Sequence, residues 1–276
     1  MNKKKFLYGL SSVLGMAYIG FCAAVYWFPR YFFYNPNATT AAMPTIETDG
    51  FSGEKIEYKA ADGTKLYGAL VKPQAGKKLI VFYHGNSYNI AKFYYKLKPL
   101  VDKGYGVFIG EYRGFGGVKG KITQAGLELD ALAAIDKLHD LGYKNQQIVL
   151  YGMSLGSYTS SYTATHAQGG DFAGLILEVP FDSLLNVVKQ RIWPLFPFKL
   201  IIKDKYDNIA NIKDLTIPKL IMAGTKDKTV PPQRAESLFE VVPEPKKFIT
   251  YEGANHSELF DYENYRDILK WLAKLK

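Results

Sequence analysis

The sequence predicts an α/β fold whose core is a mostly parallel sheet of about eight strands with helices on both faces. Three observations lead there. From residue 53 onward, short apolar runs rich in β-formers alternate with longer stretches of helical period, as in chains of parallel strands joined by crossover helices. One such run, Ile148 to Tyr151, ends abruptly in Gly152-Met153-Ser154-Leu155-Gly156, a G-x-S-x-G pattern that belongs on a tight turn between a buried strand and a helix. Finally, 276 residues with 47% hydrophobic content suffice for one large core, and α/β folds of this length are commonly one domain.

Taken in order, Lys3-Lys4-Lys5 leads into Phe6 to Phe28, an uncharged run of 23 residues. As a helix it would reach about 34 Å, the thickness of a hydrocarbon core. Tyr26, Trp27, Tyr31 and Tyr34 gather at its far end as an interfacial aromatic belt would, and Arg30 is the lone early charge there against three lysines on the near side. A single-pass anchor follows, with a basic tail (1–5) in the cytoplasm, the span at 6–28 and the body on the exoplasmic, periplasmic or lumenal side. A cleaved signal peptide fits less well, because the run ends in Tyr-Trp-Phe-Pro rather than at a small-x-small site. Residues 29–52 read as a linker, with Asn, Thr, Ala, Pro and Gly from residue 35 on; Asn37-Ala-Thr39 is a glycosylation sequon there.

The body, 53–276, opens with a β-hairpin, Lys55 to Lys59 and Lys65 to Val71 about Asp62-Gly63. Leu79 to Tyr83 is a buried strand ending in His84-Gly85-Asn86-Ser87. A helix (about 89–102), a strand (Val107 to Glu111) and a helix (about 123–140) precede the strand before Ser154. In the second of these helices Leu127, Ala131, Ala134 or Ile135, and Leu138 share one face, a core stripe. Ala173 to Val179 is the next strand. Residues 181–213, with Trp193-Pro-Leu-Phe-Pro-Phe198, break the alternation and read as a small cap over the strand ends, whose apolar groups would suit an acyl substrate or fold onto a core of their own. Strands Ile217 to Ala223 and Lys247 to Tyr251, a helix after Pro231-Pro232 and a final helix (about 260–275) complete the sheet and its cover.

A serine hydroxyl needs a neighbouring base to take its proton, and the base needs a carboxylate to hold its tautomer. Asp227 follows one late strand in Gly224-Thr-Lys-Asp227, and His256 follows the next in Gly253-Ala-Asn-His256, giving the order Ser154, Asp227, His256 expected of an elbow-type hydrolase. Among four histidines, His139 and His166 lie toward helix ends, and His84 suits orienting its own loop. Glu178 and Asp182 are the alternative acids, whereas Asp204, Asp207 and Asp214 read as surface charges of the cap. The amides of Leu155 and Asn86 are the natural donors to an oxyanion, without the Asn86 side chain.

The formal charge of +9 is scattered, without the basic, aromatic-interleaved face of a nucleic-acid binder. Cys22 is the one cysteine, and it lies in the apolar run, so the body has no disulfide or thiolate chemistry. The dispersed histidines predict no metal site, and no cofactor is expected; Gly114-Phe-Gly-Gly117 lacks the helix and acid of a dinucleotide site and reads as a tight loop beside the pocket.

With His84-Gly85-Asn86, Glu111-Tyr-Arg-Gly-Phe-Gly116, Gly152-Met-Ser-Leu-Gly156, Val179-Pro-Phe-Asp-Ser183 and Gly224-Thr-Lys-Asp227, the chain resembles the α/β-hydrolase fold over roughly residues 53–275. It looks like the N-terminally anchored serine hydrolase branch, which includes lipases, esterases and depalmitoylating hydrolase-domain proteins. Glu111 stands where that branch usually has aspartate, and Ser87 where alanine or glycine is commoner. The resemblance implies attack by Ser154, an acyl-enzyme, and its hydrolysis by water activated through His256, acting on an acyl ester or thioester. A peptidase of the same fold and a non-catalytic membrane-tethered binding module are the alternatives.

Overall fold

The structure is a computed structural model and describes residues 3–35, 47–48, 51–191 and 196–275. The sequon, most of the stretch read as a linker, and Trp193 to Leu195 of the cap lie outside them. The apolar run forms α1 (Lys3–Trp27), and its segment Leu7–Trp27 is long and apolar enough to cross a membrane. A short α2 (Arg30–Phe33) follows, then a two-stranded antiparallel ribbon of β1 (Glu47–Thr48) and β2 (Phe51–Ser52).

The body carries the hairpin β3 (Glu54–Lys59) and β4 (Lys65–Val71), then β5 (Leu79–Tyr83), α3 (Tyr94–Val101), β6 (Gly106–Gly110), α4 (Gln124–Asp140), β7 (Ile148–Met153), α5 (Leu155–His166) and β8 (Gly174–Glu178). Three helices, α6 (Leu184–Arg191), α7 (Phe198–Ile201) and α8 (Asn208–Ile212), fill the expected cap interval. The chain closes with β9 (Lys219–Gly224), α9 (Pro232–Val241), β10 (Lys246–Tyr251) and α10 (Asn264–Leu272). One sheet of eight strands, in the order β10-β9-β8-β7-β5-β6-β4-β3, is parallel except at the β3–β4 and β4–β6 pairings. The predicted fold class is the one observed.

Central strands carry apolar side chains on both faces because helices cover both. In β5, Leu79, Val81 and Tyr83 join one core, while Ile80 and Phe82 join the other. The predicted stripe of α4, Leu127, Ala131, Ala134, Ile135 and Leu138, is buried in the first of these. After β6 the buried Arg113 forks onto Asp130 of α4, with Nη2–Oδ1 at 2.7 Å, and reaches Asp62 of the hairpin turn at 2.6 Å. Burial pushes the Asp130 carboxyl up, against the pull of Arg113. Removing the arginine would leave that carboxylate sealed without a counter-charge. Arg113→Met is therefore expected to cost about 3–5 kcal/mol in urea unfolding.

Three expectations change. The last helix starts at Asn264 rather than near 260, because residues 258–263 turn through successive three-residue hydrogen bonds and Glu263 takes a left-handed backbone, φ 57°. The stretch read as a linker from residue 29 begins packed: α2 leads into Tyr34, which is buried, and Asn35, which bridges Ser87. The glycine loop at 114–117 is not beside the serine; Tyr67 donates to Gly116 O (2.6 Å), and Gly117 lines a separate hollow with Tyr58 and Tyr67.

Candidate active site

The site forms at the carboxyl ends of the central strands, where an open parallel sheet presents its loops. Strand β7 turns directly into α5 at Ser154, whose backbone takes φ 54°, ψ −116°, a conformation L-residues rarely adopt. The turn is this tight because its flanks are glycine. A Cβ on Gly152 would sit 2.1 Å from Gly156 O, and one on Gly156 would sit 1.9 Å from Tyr83 O. The Ser154 amide donates to Glu178 O on β8 (2.9 Å), which pins the turn to the sheet.

His256 and Asp227 reach the serine from loops after β10 and β9. The Ser154 hydroxyl lies 2.9 Å from His256 Nε2, and His256 Nδ1 lies 2.6 Å from Asp227 Oδ2. The other carboxylate oxygen of Asp227 accepts the amides of Thr229 and Val230, each at 2.8 Å, so the turn itself aims the free oxygen at the ring. The carboxylate is 3% exposed and the imidazole 12%, which leaves the ring reachable while its partner is dry. Asn255, which sequence reasoning passed over, ties the two loops together: its Oδ1 accepts the amides of Lys228 and His256, both at 2.9 Å. An Asx residue just before the histidine was the available signal.

The alternative acids are occupied elsewhere. Glu178 is buried against Lys96 (2.7 Å) and Tyr151, and Asp182 pairs with Arg234 (3.0 Å). His84 is fully buried and donates from Nδ1 to Gly85 O (2.8 Å), with Nε2 3.1 Å from Glu111 Oε1 but not aligned on it. It orients its loop, as expected. Glu111 also accepts the Ile90 amide (3.0 Å), and Tyr112 OH meets Thr159 of α5 (2.8 Å), so the Glu111 motif supports the loop and the elbow from beneath. His139 and His166 are remote from the serine, bonded to Asn145 and stacked on Tyr162.

Gly85 lies against the serine: a Cβ there would stand 3.6 Å from Ser154 Cβ. That brings Asn86 beside Ser154 and Leu155 in the wall of one cavity, and neither the Asn86 nor the Leu155 amide donates to another described backbone group. The side chain of Asn86, not needed for the oxyanion, donates to Phe33 O (2.8 Å). The cavity, about 380 Å³, is walled by Phe181, Val230, Leu184, Val187 and Val188 of α6, Tyr206, and Phe32 to Tyr34 of the segment after α1. That volume lies in the range of small-molecule sites. Asp204 is not a free surface charge; it accepts the Gln124 amide (3.1 Å) and the Tyr34 hydroxyl (3.3 Å).

Residues 91–276 match the prolyl oligopeptidase family, a stretch that holds Ser154, Asp227 and His256. The chain belongs to that family. It is thereby a serine hydrolase of α/β-hydrolase fold. YfhR of Escherichia coli O157:H7 is 31% identical over 88% of this chain and 85% of its own length. The Saccharomyces cerevisiae membrane protein YNL320W is 29% identical over 83% of this chain and 82% of its own. Among solved structures, the Exiguobacterium antarcticum esterase EaEST superposes with a TM-score of 0.62 at 19% identity, over 79% of this chain and 99% of that one. Acylaminoacyl peptidases share the fold as well. The family match begins after β5, so the Asn86 loop and everything before it lie outside it.

Proposed function

We propose that the chain is a membrane-anchored hydrolase of acyl esters or thioesters, with Ser154 as nucleophile, His256 as base and then acid, and Asp227 as the carboxylate that holds the imidazole. The observation that carries this reading is the hydrogen-bonded chain Ser154–His256–Asp227 at the wall of an apolar cavity. Ser154 Oγ attacks the acyl carbon while its proton passes to Nε2 of His256. The tetrahedral oxyanion falls to the amides of Leu155 and Asn86, each donor of this kind contributing about 3 kcal/mol to the transition state. The imidazolium then protonates the departing alcohol or thiol, leaving an ester on Ser154. Water attacks that ester, gives a proton to His256, and the acid leaves as the proton returns to Oγ.

The name of the family favours a second reading, a peptidase. Against it, the cavity wall is mostly apolar, and among the described residues no acidic or basic side chain lines it to select a peptide residue. Full-length protein assayed with p-nitrophenyl esters, acyl thioesters and aminoacyl p-nitroanilides separates the two. Esters or thioesters are expected to turn over and anilides to remain intact; preferential cleavage of anilides would establish the peptidase.

The body is placed outside the cytoplasm, with residues 1–5 as the cytoplasmic tail, 6–28 as a signal anchor and 53–276 as the catalytic domain. Support comes from the three lysines before the span against Arg30 after it. In sealed membranes of known sidedness, protease added on the face opposite the cytoplasm should digest the body, and digestion from the cytoplasmic face alone would reverse the orientation.

A further inference from the structure

The segment by which the chain leaves α1 is stitched to the site. Asn35 donates its amide to Asn86 O (2.9 Å), Asn86 returns its side-chain amide to Phe33 O (2.8 Å), and Tyr34 OH meets Tyr206 OH at 2.5 Å. Asn86 is the residue whose own amide faces the developing oxyanion in the reading above. Phe33 packs at once on the main core and on the small cluster where α1 meets the cap. Phe32 is 46% exposed yet lines the cavity, so it stands at the rim.

The depth of that rim follows from the last turns of α1. Phe21, Cys22, Val25 and Tyr26 pack against α6, α7 and Ile202 of the cap. Lys203 then sets its ammonium 3.7 Å above the Tyr26 ring and 5.0 Å from Trp27. A cation over a Tyr–Trp pair at the end of an apolar helix marks the headgroup level of a bilayer. Beside it Trp27, Phe28, Tyr31 and Leu200 are each more than half exposed, a placement that an aqueous surface disfavours and an interface satisfies.

We infer that Phe32 and Phe33 form the acyl wall of the site, and that its substrate is a membrane lipid ester or thioester whose acyl chain passes from the bilayer into the cavity along them. This rests on the serine-hydrolase reading above. It makes the anchor's exit a determinant of specificity rather than a tether alone.

The test uses full-length protein in phosphatidylcholine nanodiscs, p-nitrophenyl acetate, octanoate and dodecanoate, and a fluorophosphonate label. Wild type is expected to prefer dodecanoate. Phe33→Ala should lower kcat/KM on dodecanoate by about tenfold or more while acetate changes by less than about threefold, the scale of discrimination that an apolar subsite supplies. Phe33→Trp, which narrows the cavity instead of opening it, should move the optimum to a shorter chain; this opposite shift is one that loss of folding cannot mimic. Tyr31→Ala, 79% exposed and outside the cavity wall, should keep the wild-type profile. One chain-length profile shared by wild type and both Phe33 variants, or a wild-type preference for acetate, overturns the inference while labelling of Ser154 leaves the hydrolase reading standing. Absence of both labelling and turnover in folded wild type sinks that reading and this inference with it.

Discussion

Ser154→Ala is expected to lower kcat on an activated ester by about 10⁶-fold and to abolish covalent labelling by a fluorophosphonate, because removing the nucleophile of a serine relay costs nearly as much as removing the whole relay. The only hydroxyl bonded to His256 Nε2 among the described residues is that of Ser154, at 2.9 Å. The reaction with the probe forms an Oγ–P bond and expels fluoride, so it reports the activated oxygen without any assumption about substrate. Alanine bears the same φ of 54° at about the same strain as serine, and the elbow is held by its backbone bond to Glu178 O, so the variant should fold. Unchanged circular dichroism with no label is the expected pair of results. Undiminished labelling would locate the nucleophile elsewhere.

Asp227→Asn should lower kcat by about 10⁴-fold with the fold intact, through the tautomer of His256. The surroundings of the carboxylate dictate this outcome. Oδ1 accepts two amides, from Thr229 and Val230, so an asparagine has to keep its oxygen on that side; turned around, its NH₂ would face two donors. The NH₂ then points at His256 Nδ1, now 2.6 Å from a carboxylate oxygen, and Nδ1 must become the acceptor. The ring proton moves to Nε2, the atom that has to receive the serine proton. A KM near wild type with a depressed kcat is the expected signature on a short-chain ester. A loss below about tenfold would mean that a different group holds the imidazole.

The strands and helices were legible because their signals are local. Alternating burial in β5, the stripe of α4 and the glycines around Ser154 each arise from residues a few positions apart, and side chains that short a distance apart obey backbone periodicity. The final helix was read too long because the apolar residues Leu259 and Phe260 continue its pattern, while what stops it is the left-handed backbone of Glu263, which no periodicity reveals. Residues 29–35 were read as linker for the converse reason. Their partners, Asn86, Asp204 and Tyr206, are 53, 170 and 172 positions away, so nothing local distinguishes Phe33 or Tyr34 from an interfacial aromatic.

The sequence by itself therefore determined the fold class, the membrane-length apolar helix, and which serine, histidine and aspartate stand at strand ends as candidates. Each of these depends on spacing along the chain and on the few backbone conformations that glycine-flanked turns allow. Only the tertiary structure decided that the three side chains form one hydrogen-bonded chain, that Asn255 joins the two loops carrying the acid and the base, and that the exit from α1 closes the cavity beside Ser154. Those are long-range contacts, selected by how whole elements pack, and a one-dimensional pattern carries no distance between residues 33, 86, 154, 227 and 256.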